Sequence, residues 1–147
     1  VARSKEYFDN ATPSGNSVAA DVLKRIGTLL DHTDYLEKAE KVCRSVGDYL
    51  TKVPSGLGRM LAVADLIVGP SQEIALIGPV KEFIPILRAH YLPRTVTAAG
   101  VSQKIVPLQN REEINGKPTA YICENYTCKE PVTDSIAFDA QLKQLQK

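Results

Sequence analysis

Apolar residues in the first half of the chain recur at intervals of three and four, which is the spacing of one helix face. In the first such segment, which starts at Ser17, they are Val18, Ala19, Val22, Leu23, Ile26, Leu29 and Leu30. A polar break at residues 31–34 separates this segment from a second one with the same period. The pattern predicts a helical hairpin, with helices over 17–30 and 35–52, and a third helix over 57–68.

The period changes after Gly69-Pro70, where proline cannot continue a helix. Glu73–Ile77 is a short apolar run bounded by turn residues, and an amphipathic stretch follows over 80–87. Thr95–Ala98 is a second short run of strand-forming residues. The order of strand, helix and strand predicts a βαβ unit with parallel strands.

Two more elements complete the predicted fold, a strand over Thr119–Cys123 and a final helix over about Asp134–Leu145. The chain as a whole is therefore predicted to have a mixed α and β fold. Residues 1–70 form a helical segment with a hairpin, and residues 71–147 form a small α/β unit. Its sheet is expected to be short and mainly parallel.

Charge and composition narrow the classes of partner. The 147 residues include 18 basic and 17 acidic side chains, so the net charge of +1 favours neither nucleic acid nor an anionic membrane. No apolar run approaches the ~20 residues that cross a bilayer. Three cysteines, an odd number, fit a reducing compartment better than a secreted disulfide scaffold. We therefore expect a cytoplasmic protein with no nucleic acid or membrane partner.

A polar segment, DNATPSGNS, lies just before the first helix. Asp9, Ser14, Asn16 and Ser17 stand near the positive end of that helix, where backbone amides favour anions or sugar hydroxyls. These four residues are the predicted ligand-binding set. The alternative is a capping loop, in which Asn16 or Ser14 accepts a hydrogen bond from the first turn of the helix.

Cys123 and Cys128 lie five positions apart in a polar segment. In a straight strand their Cα atoms would be ~16 Å apart, whereas a disulfide needs them within ~7 Å. This favours two structural, reduced thiols. A turn through residues 124–127, which Asn125 permits, would instead join them for redox or metal chemistry. Two thiolates fall short of the four ligands of a structural zinc site, so no metal or cofactor is predicted.

Several segments together resemble one family. They are DNATPSGNSVAADVL, DYLEKAEKV, EIALIGP, HYLPRTV and KPTAYICENYTCKEPVTD. In this order they resemble the C-terminal region of a family of large thioredoxin-domain-containing proteins. This is the family of spermatogenesis-associated protein 20. The resemblance implies a thioredoxin-like domain followed by an (α/α) toroid, similar to sugar epimerases and six-hairpin glycosidases. This chain would be the last part.

The resemblance implies that residues 1–70 end the toroid and that residues 71–147 are appended to it. The partner would then be the remainder of the parent chain, its thioredoxin-like domain and toroid, together with a carbohydrate. The Cys-x-x-Cys motif of a redox domain does not occur in this chain. Most sugar-processing residues of the related enzymes would lie upstream of Val1. The family has no settled substrate, so the resemblance does not decide whether the chain is part of an enzyme.

Three hypotheses follow. The first is a C-terminal fragment of a larger protein, contributing Asp9, Ser14 and Asn16 to a carbohydrate-binding or sugar-modifying cleft. The second is a non-catalytic interaction or scaffold module. The third is a thiol-redox module that uses Cys123 and Cys128. The fragment hypothesis also predicts exposed apolar faces, through which a homodimer could form.

Overall fold

The computed structural model describes residues 6–146, which divide after Gly69 into a helical unit and an α/β unit. The described part of the helical unit has the helices α1 (Gly15–Leu30), α2 (Thr33–Ser45), α3 (Gly47–Lys52) and α4 (Gly58–Val68), with a 3-10 turn at Pro54–Gly56. Asp31, in the left-handed conformation with φ of 51°, ends α1 and turns the chain into α2. The helical hairpin of the sequence pattern is therefore α1 and α2.

The helix predicted over 35–52 is divided into two helices. Val46 lies at the break, with φ of −115° and ψ of 11°, and Gly47 begins α3. The side chain of Val46 is buried in the helical core. The apolar period does not reveal this break. Val46 occupies an apolar position of the period, and its side chain stays buried although the backbone is not helical there.

The core of the helical unit lies mainly between α4 and the chain that precedes it. Its fully buried members are Ala20, Val46, Leu57, Met60 and Val63. Helices α1 and α2 pack closely at Gly27. A Cβ atom at this position would lie 2.7 Å from Cδ2 of Leu36. A glycine at this position lets the two backbones approach each other.

The α/β unit contains one sheet and two α-helices within residues 70–146. The elements are β1 (Gln72–Ile77), α5 (Phe83–Arg88), β2 (Thr95–Ala99), β3 (Thr119–Glu124), β4 (Thr127–Cys128) and α6 (Ser135–Leu145), with 3-10 turns at Val80–Glu82 and Val106–Leu108. Asp134 caps α6, since its carboxylate accepts hydrogen bonds from the amides of Ile136 and Ala137.

The strand order is β2-β1-β3-β4. Strands β1 and β2 are parallel with α5 between them in sequence, which confirms the predicted parallel strand pair. The other two pairs, β1 with β3 and β3 with β4, are antiparallel. The expectation of a mainly parallel sheet was therefore wrong. Strand β3 runs antiparallel to β1 because the long irregular connection before it reverses the chain direction. Strand β4 runs antiparallel to β3 because the two are joined by a tight turn, which permits only antiparallel pairing.

Strand β1 is buried on both faces, as its continuous apolar run suggests. Ile74 and Leu76 face a core shared with Phe83, Phe138 and Ile122, in which the two phenylalanine rings stack with centroids 4.6 Å apart. On the opposite face, Ala75 and Ile77 pack with Leu108. In the described part of the chain, no helix combines the length and the apolar character needed to cross a bilayer.

Candidate functional sites

The Asp9 carboxylate binds the beginnings of two helices. Its Oδ1 accepts hydrogen bonds from the amide of Ser14 and the hydroxyl of Ser17, each at 2.8 Å. Its Oδ2 accepts from the amides of Arg59 and Met60, at 2.9 and 3.2 Å. Those two amides lie in the first turn of α4, whose own N-cap residue makes no side-chain hydrogen bond. Asp9 therefore supplies the acceptor that the orphan amides of α4 need.

The same network sets the charge of Asp9. Burial alone would raise its pKa, but the hydrogen bonds from Ser14, Ser17, Met60 and Arg59 together hold the pKa of this carboxyl below its ordinary value. A carboxylate is also favoured at helix N-termini by the partial positive charge of the unpaired amides. Asp9 is thus ionised at neutral pH and serves as a cap.

The predicted ligand-binding residues only partly converge. Ser14 caps α1 by accepting a hydrogen bond from the amide of Ser17 at 3.1 Å, and both serines are buried. Asn16 does not join this network. Its side-chain Nδ2 donates to the backbone carbonyl of Glu6 at 2.7 Å. The geometry of Asp9, Ser14 and Ser17 is that of the capping loop, the alternative that the sequence left open. A carbohydrate cleft stays a prediction.

Asp21 is a buried charge that the periodic pattern did not single out. Its Oδ1 accepts from Nε of Arg25 at 2.9 Å, and its Oδ2 accepts from the guanidinium of Arg59. The pair with Arg25 is detectable in the sequence, because the two residues are four apart on one helix. The pair with Arg59 joins α1 to α4 and depends on the tertiary fold.

An open depression of about 350 Å³ lies at the break between α2 and α3. It is lined by Arg44, Ser45, Gly47, Asp48, Tyr49 and Lys52. The ring of Tyr49 meets the ring of Phe8 edge to face, with centroids 5.5 Å apart. None of the four predicted ligand-binding residues lines this depression.

Helix α1 leaves four of its large apolar side chains exposed to solvent. We call this surface the α1 apolar face, made of Val18, Val22, Ile26 and Leu30, each between 38 and 46% exposed. The opposite side of the helix is buried and carries small or polar residues: Ser17, Ala20, Asp21 and Gly27. This reverses the usual arrangement, in which the apolar stripe of a surface helix faces the core.

Cys123 and Cys128 are opposite each other on β3 and β4 and form a disulfide, with Cα atoms 3.9 Å apart. The prediction of two separate reduced thiols was therefore wrong. The reason is the turn between the strands, where Asn125 and Tyr126 adopt positive φ values of 50° and 64°. Cys123 is buried and Cys128 is exposed.

Arg111 lies beside this disulfide. Its Nη2 atom is 3.1 Å from Sγ of Cys123 and 3.2 Å from Sγ of Cys128, and its guanidinium carbon is 4.7 Å from the ring centroid of Tyr121. Burial lowers the pKa of Arg111, although Tyr121 and Glu73 act in the opposite direction. No sequence pattern singled out Arg111, because it lies in the irregular connection before β3.

His90 has a structural role at the end of α5. Its Nε2 lies 2.8 Å from Oδ1 of Asp139 on α6, and Oδ2 of Asp139 accepts from Lys143 at 2.5 Å. The hydrogen bonds from Lys143 and His90 hold the pKa of Asp139 below its ordinary value. Across residues 6–146, no three His, Cys, Asp or Glu side chains are grouped closely enough to hold a metal ion.

Sequence comparisons relate the chain to longer proteins. Spermatogenesis-associated protein 20 of Homo sapiens and that of Rattus norvegicus are each 26% identical over 144 residues, which covers 90% of this chain. An uncharacterized protein of Caenorhabditis elegans is 24% identical over 143 residues. The chain spans only 18 to 19% of the length of these relatives. No family model and no solved structure matches it.

Proposed function

We propose that this chain is a non-catalytic assembly segment of a longer polypeptide. Nine-tenths of the chain is homologous to spermatogenesis-associated protein 20. The α1 apolar face packs against other helices of that same polypeptide. The observation that carries this proposal is the reversed orientation of α1, whose apolar side is exposed while its polar and small residues are buried.

The energetics favour a covered state of this face. Full burial of a Val, Leu or Ile side chain contributes about 1.5–3 kcal/mol, and the four side chains here are each a little over half covered. Completing their burial contributes several kcal/mol. Because the side chains recur every four residues, their spacing fits the ridge and groove surface of another helix.

The proposed occupant is a helix from the part of the parent polypeptide outside these 147 residues. The relatives carry more than four-fifths of their length outside the matched region, and that length is the available source of partner helices. The (α/α) toroid implied by the family resemblance consists of such helices. On this proposal α1 and α2 complete the toroid, and their contribution is structural.

A photo-crosslinking experiment tests the occupant. A photoreactive phenylalanine analogue replaces Val22 in the longer polypeptide, and the crosslinked peptides are identified by mass spectrometry. We expect links within one polypeptide to helices outside this chain. The matched control places the same analogue at Glu37, an exposed position on α2, where few such links are expected.

Three results would contradict the proposal. Links between two copies would make the face a dimer interface, and links to another protein would make it a docking surface for a separate partner. Equal, low yields at positions 22 and 37 would show that the face stays in water.

A further inference from the structure

We propose that the Cys123–Cys128 bond is a reversible thiol–disulfide exchange site, in which Cys128 is the sulfur attacked by an incoming thiol and Arg111 stabilises the thiolates that form. The reacting partner is defined by chemistry, as a dithiol or glutathione-type thiol. This inference does not depend on the proposed assembly role, because it concerns different residues of the α/β unit.

Access distinguishes the two sulfurs. Cys128 is exposed on β4, a strand of only two residues at the edge of the sheet, whereas Cys123 is buried on β3. The adjoining turn residue Tyr126 is 88% exposed, so the turn leaves the approach to Cys128 open. An attacking thiolate therefore reaches Cys128, and Cys123 is the leaving group.

Arg111 gives the leaving group a counter-charge. Its guanidinium lies within 3.2 Å of both sulfurs. Among the described residues, no carboxylate lies within ion-pair distance of Arg111. Glu73, which pairs with Cys123 across β1 and β3, attracts Arg111 without forming an ion pair with it. This partly buried cation therefore gains a close opposite charge when a sulfur becomes a thiolate. A nearby cation is the environment that lowers the pKa of a cysteine and makes its thiolate both a better leaving group and available at neutral pH.

The bond contributes less to the stability of the unit than a disulfide between distant segments would. It closes a loop of only a few residues beside a turn, and short loops gain least from a cross-link. The apolar core of the α/β unit lies around Ile74, Phe83 and Phe138. The bond is therefore better placed for chemistry than as a staple.

The hairpin is arranged to close the bond again after reduction. The amide of Asn125 donates to the carbonyl of Ser71 at 2.8 Å, and Oδ1 of Asn125 accepts from the amide of Ser71 at 3.1 Å. The amide of Lys129 donates to the carbonyl of Ile122. These bonds do not involve sulfur, so they keep Cys123 and Cys128 close together in the reduced state, which favours re-formation of the bond.

The exchange balances as follows. A thiolate of the dithiol attacks Sγ of Cys128, a mixed disulfide forms, and the Cys123–Cys128 bond breaks with its electron pair on Cys123. The second thiolate of the dithiol, or the thiolate of a second glutathione molecule, then attacks the partner's sulfur in the mixed disulfide and releases Cys128 as a thiolate. The dithiol, or the pair of glutathione molecules, is oxidised to a disulfide, the protein pair is reduced by two electrons, and the two thiol protons pass to the cysteines or to solvent.

The test uses the 147-residue chain in glutathione redox buffers, with thiols trapped by iodoacetamide and read peptide by peptide. We expect reduction under native conditions, faster alkylation of Cys128 than of Cys123, and a Cys128 pKa below that of an ordinary cysteine. Cys43 is an internal comparison, because burial raises its pKa. Arg111→Met should raise the Cys128 pKa by at least one unit, which slows its alkylation at neutral pH by about tenfold.

Two further variants isolate the role of Arg111. Arg88→Met removes an exposed arginine of the same unit and should leave the Cys128 pKa unchanged. Arg111→Lys keeps the positive charge and should restore part of the pKa depression if circular dichroism shows an unchanged fold. The proposal is overturned if the bond is reduced only after unfolding, if Cys123 is alkylated first, or if Arg111→Met and Arg88→Met have the same thiol pKa.

Discussion

Asp9 shows how a residue selected for its chemistry can have a structural role. Its carboxylate accepts four hydrogen bonds, from Ser14, Ser17, Arg59 and Met60. A polar segment before a helix can be recognised in the sequence, and capping was one of the two interpretations that it allowed. The bonds to Arg59 and Met60, about 50 positions away, could not be foreseen, because no local pattern links Asp9 to the start of α4.

Asp9→Ala is expected to lower the free energy of unfolding by about 2 kcal/mol, because it removes an N-cap and leaves first-turn amides of α4 without their acceptor. Urea denaturation followed by circular dichroism measures this. Glu37→Ala, at an exposed position of α2, is the control and should change stability by less than about 0.5 kcal/mol. Equal effects of the two substitutions would show that the Asp9 network contributes nothing.

The same carboxylate gives the chain a defined pH dependence. The folded-state pKa of Asp9 is lowered, so its contribution is fully present above the ordinary aspartate pKa and is lost as pH falls through the folded value. The difference in unfolding free energy between the unsubstituted chain and Asp9→Ala should therefore be constant from about pH 5 to 7 and shrink below about pH 4. A difference that stays constant at low pH would contradict this assignment.

At the scale of elements, α1 shows that the apolar period predicts where a helix lies but not which of its sides is buried. The apolar period correctly places a helix there, since a repeat of three to four residues is a property of the sequence alone. The side that is buried differs from the expected one. Ser17 bonds to Asp9, Asp21 pairs with Arg59 of α4 and Gly27 packs against α2, while the α1 apolar face is exposed. Which side of a helix is buried depends on which neighbours are present.

The orientation of α1 predicts an unusual tolerance. The double substitution Val22→Lys and Ile26→Lys places two charges on the α1 apolar face. Because each side chain is a little over half covered, the isolated chain should stay folded and lose only about 1 kcal/mol of unfolding free energy per site. Binding of an apolar dye should fall. Val63→Lys, at a buried position of α4, is the contrast and should prevent stable folding. Loss of structure in the double variant would show that this face is buried.

At the scale of the whole molecule, the chain forms two units with separate cores. The parallel pair of β1 and β2 was predictable, because the order of strand, helix and strand specifies it. The antiparallel pairing of β1 with β3 was not, because the irregular connection over residues 100–118 carries no signal for the direction in which the next strand returns.

The core of the α/β unit should be most sensitive at Phe138, which stacks on Phe83 and is completely buried. Phe138→Ala is expected to cost about 3–5 kcal/mol and to accelerate hydrogen exchange of the β1 and β3 amides. Ile136→Ala, on the same helix at a position that is 84% exposed, should change neither quantity measurably. Unchanged exchange in Phe138→Ala would place the core elsewhere.

The sequence by itself determined most elements of this protein: the helical hairpin, the βαβ unit, the third long strand and the last helix. Each of these depends on residues that are close together along the chain, so periodicity and turn chemistry suffice. Only the tertiary structure decided the antiparallel return of β3, the outward face of α1, the pairing of Cys123 with Cys128 and the position of Arg111 beside them. These features depend on backbone turns and on contacts between distant segments, and such contacts leave no periodic trace in the sequence.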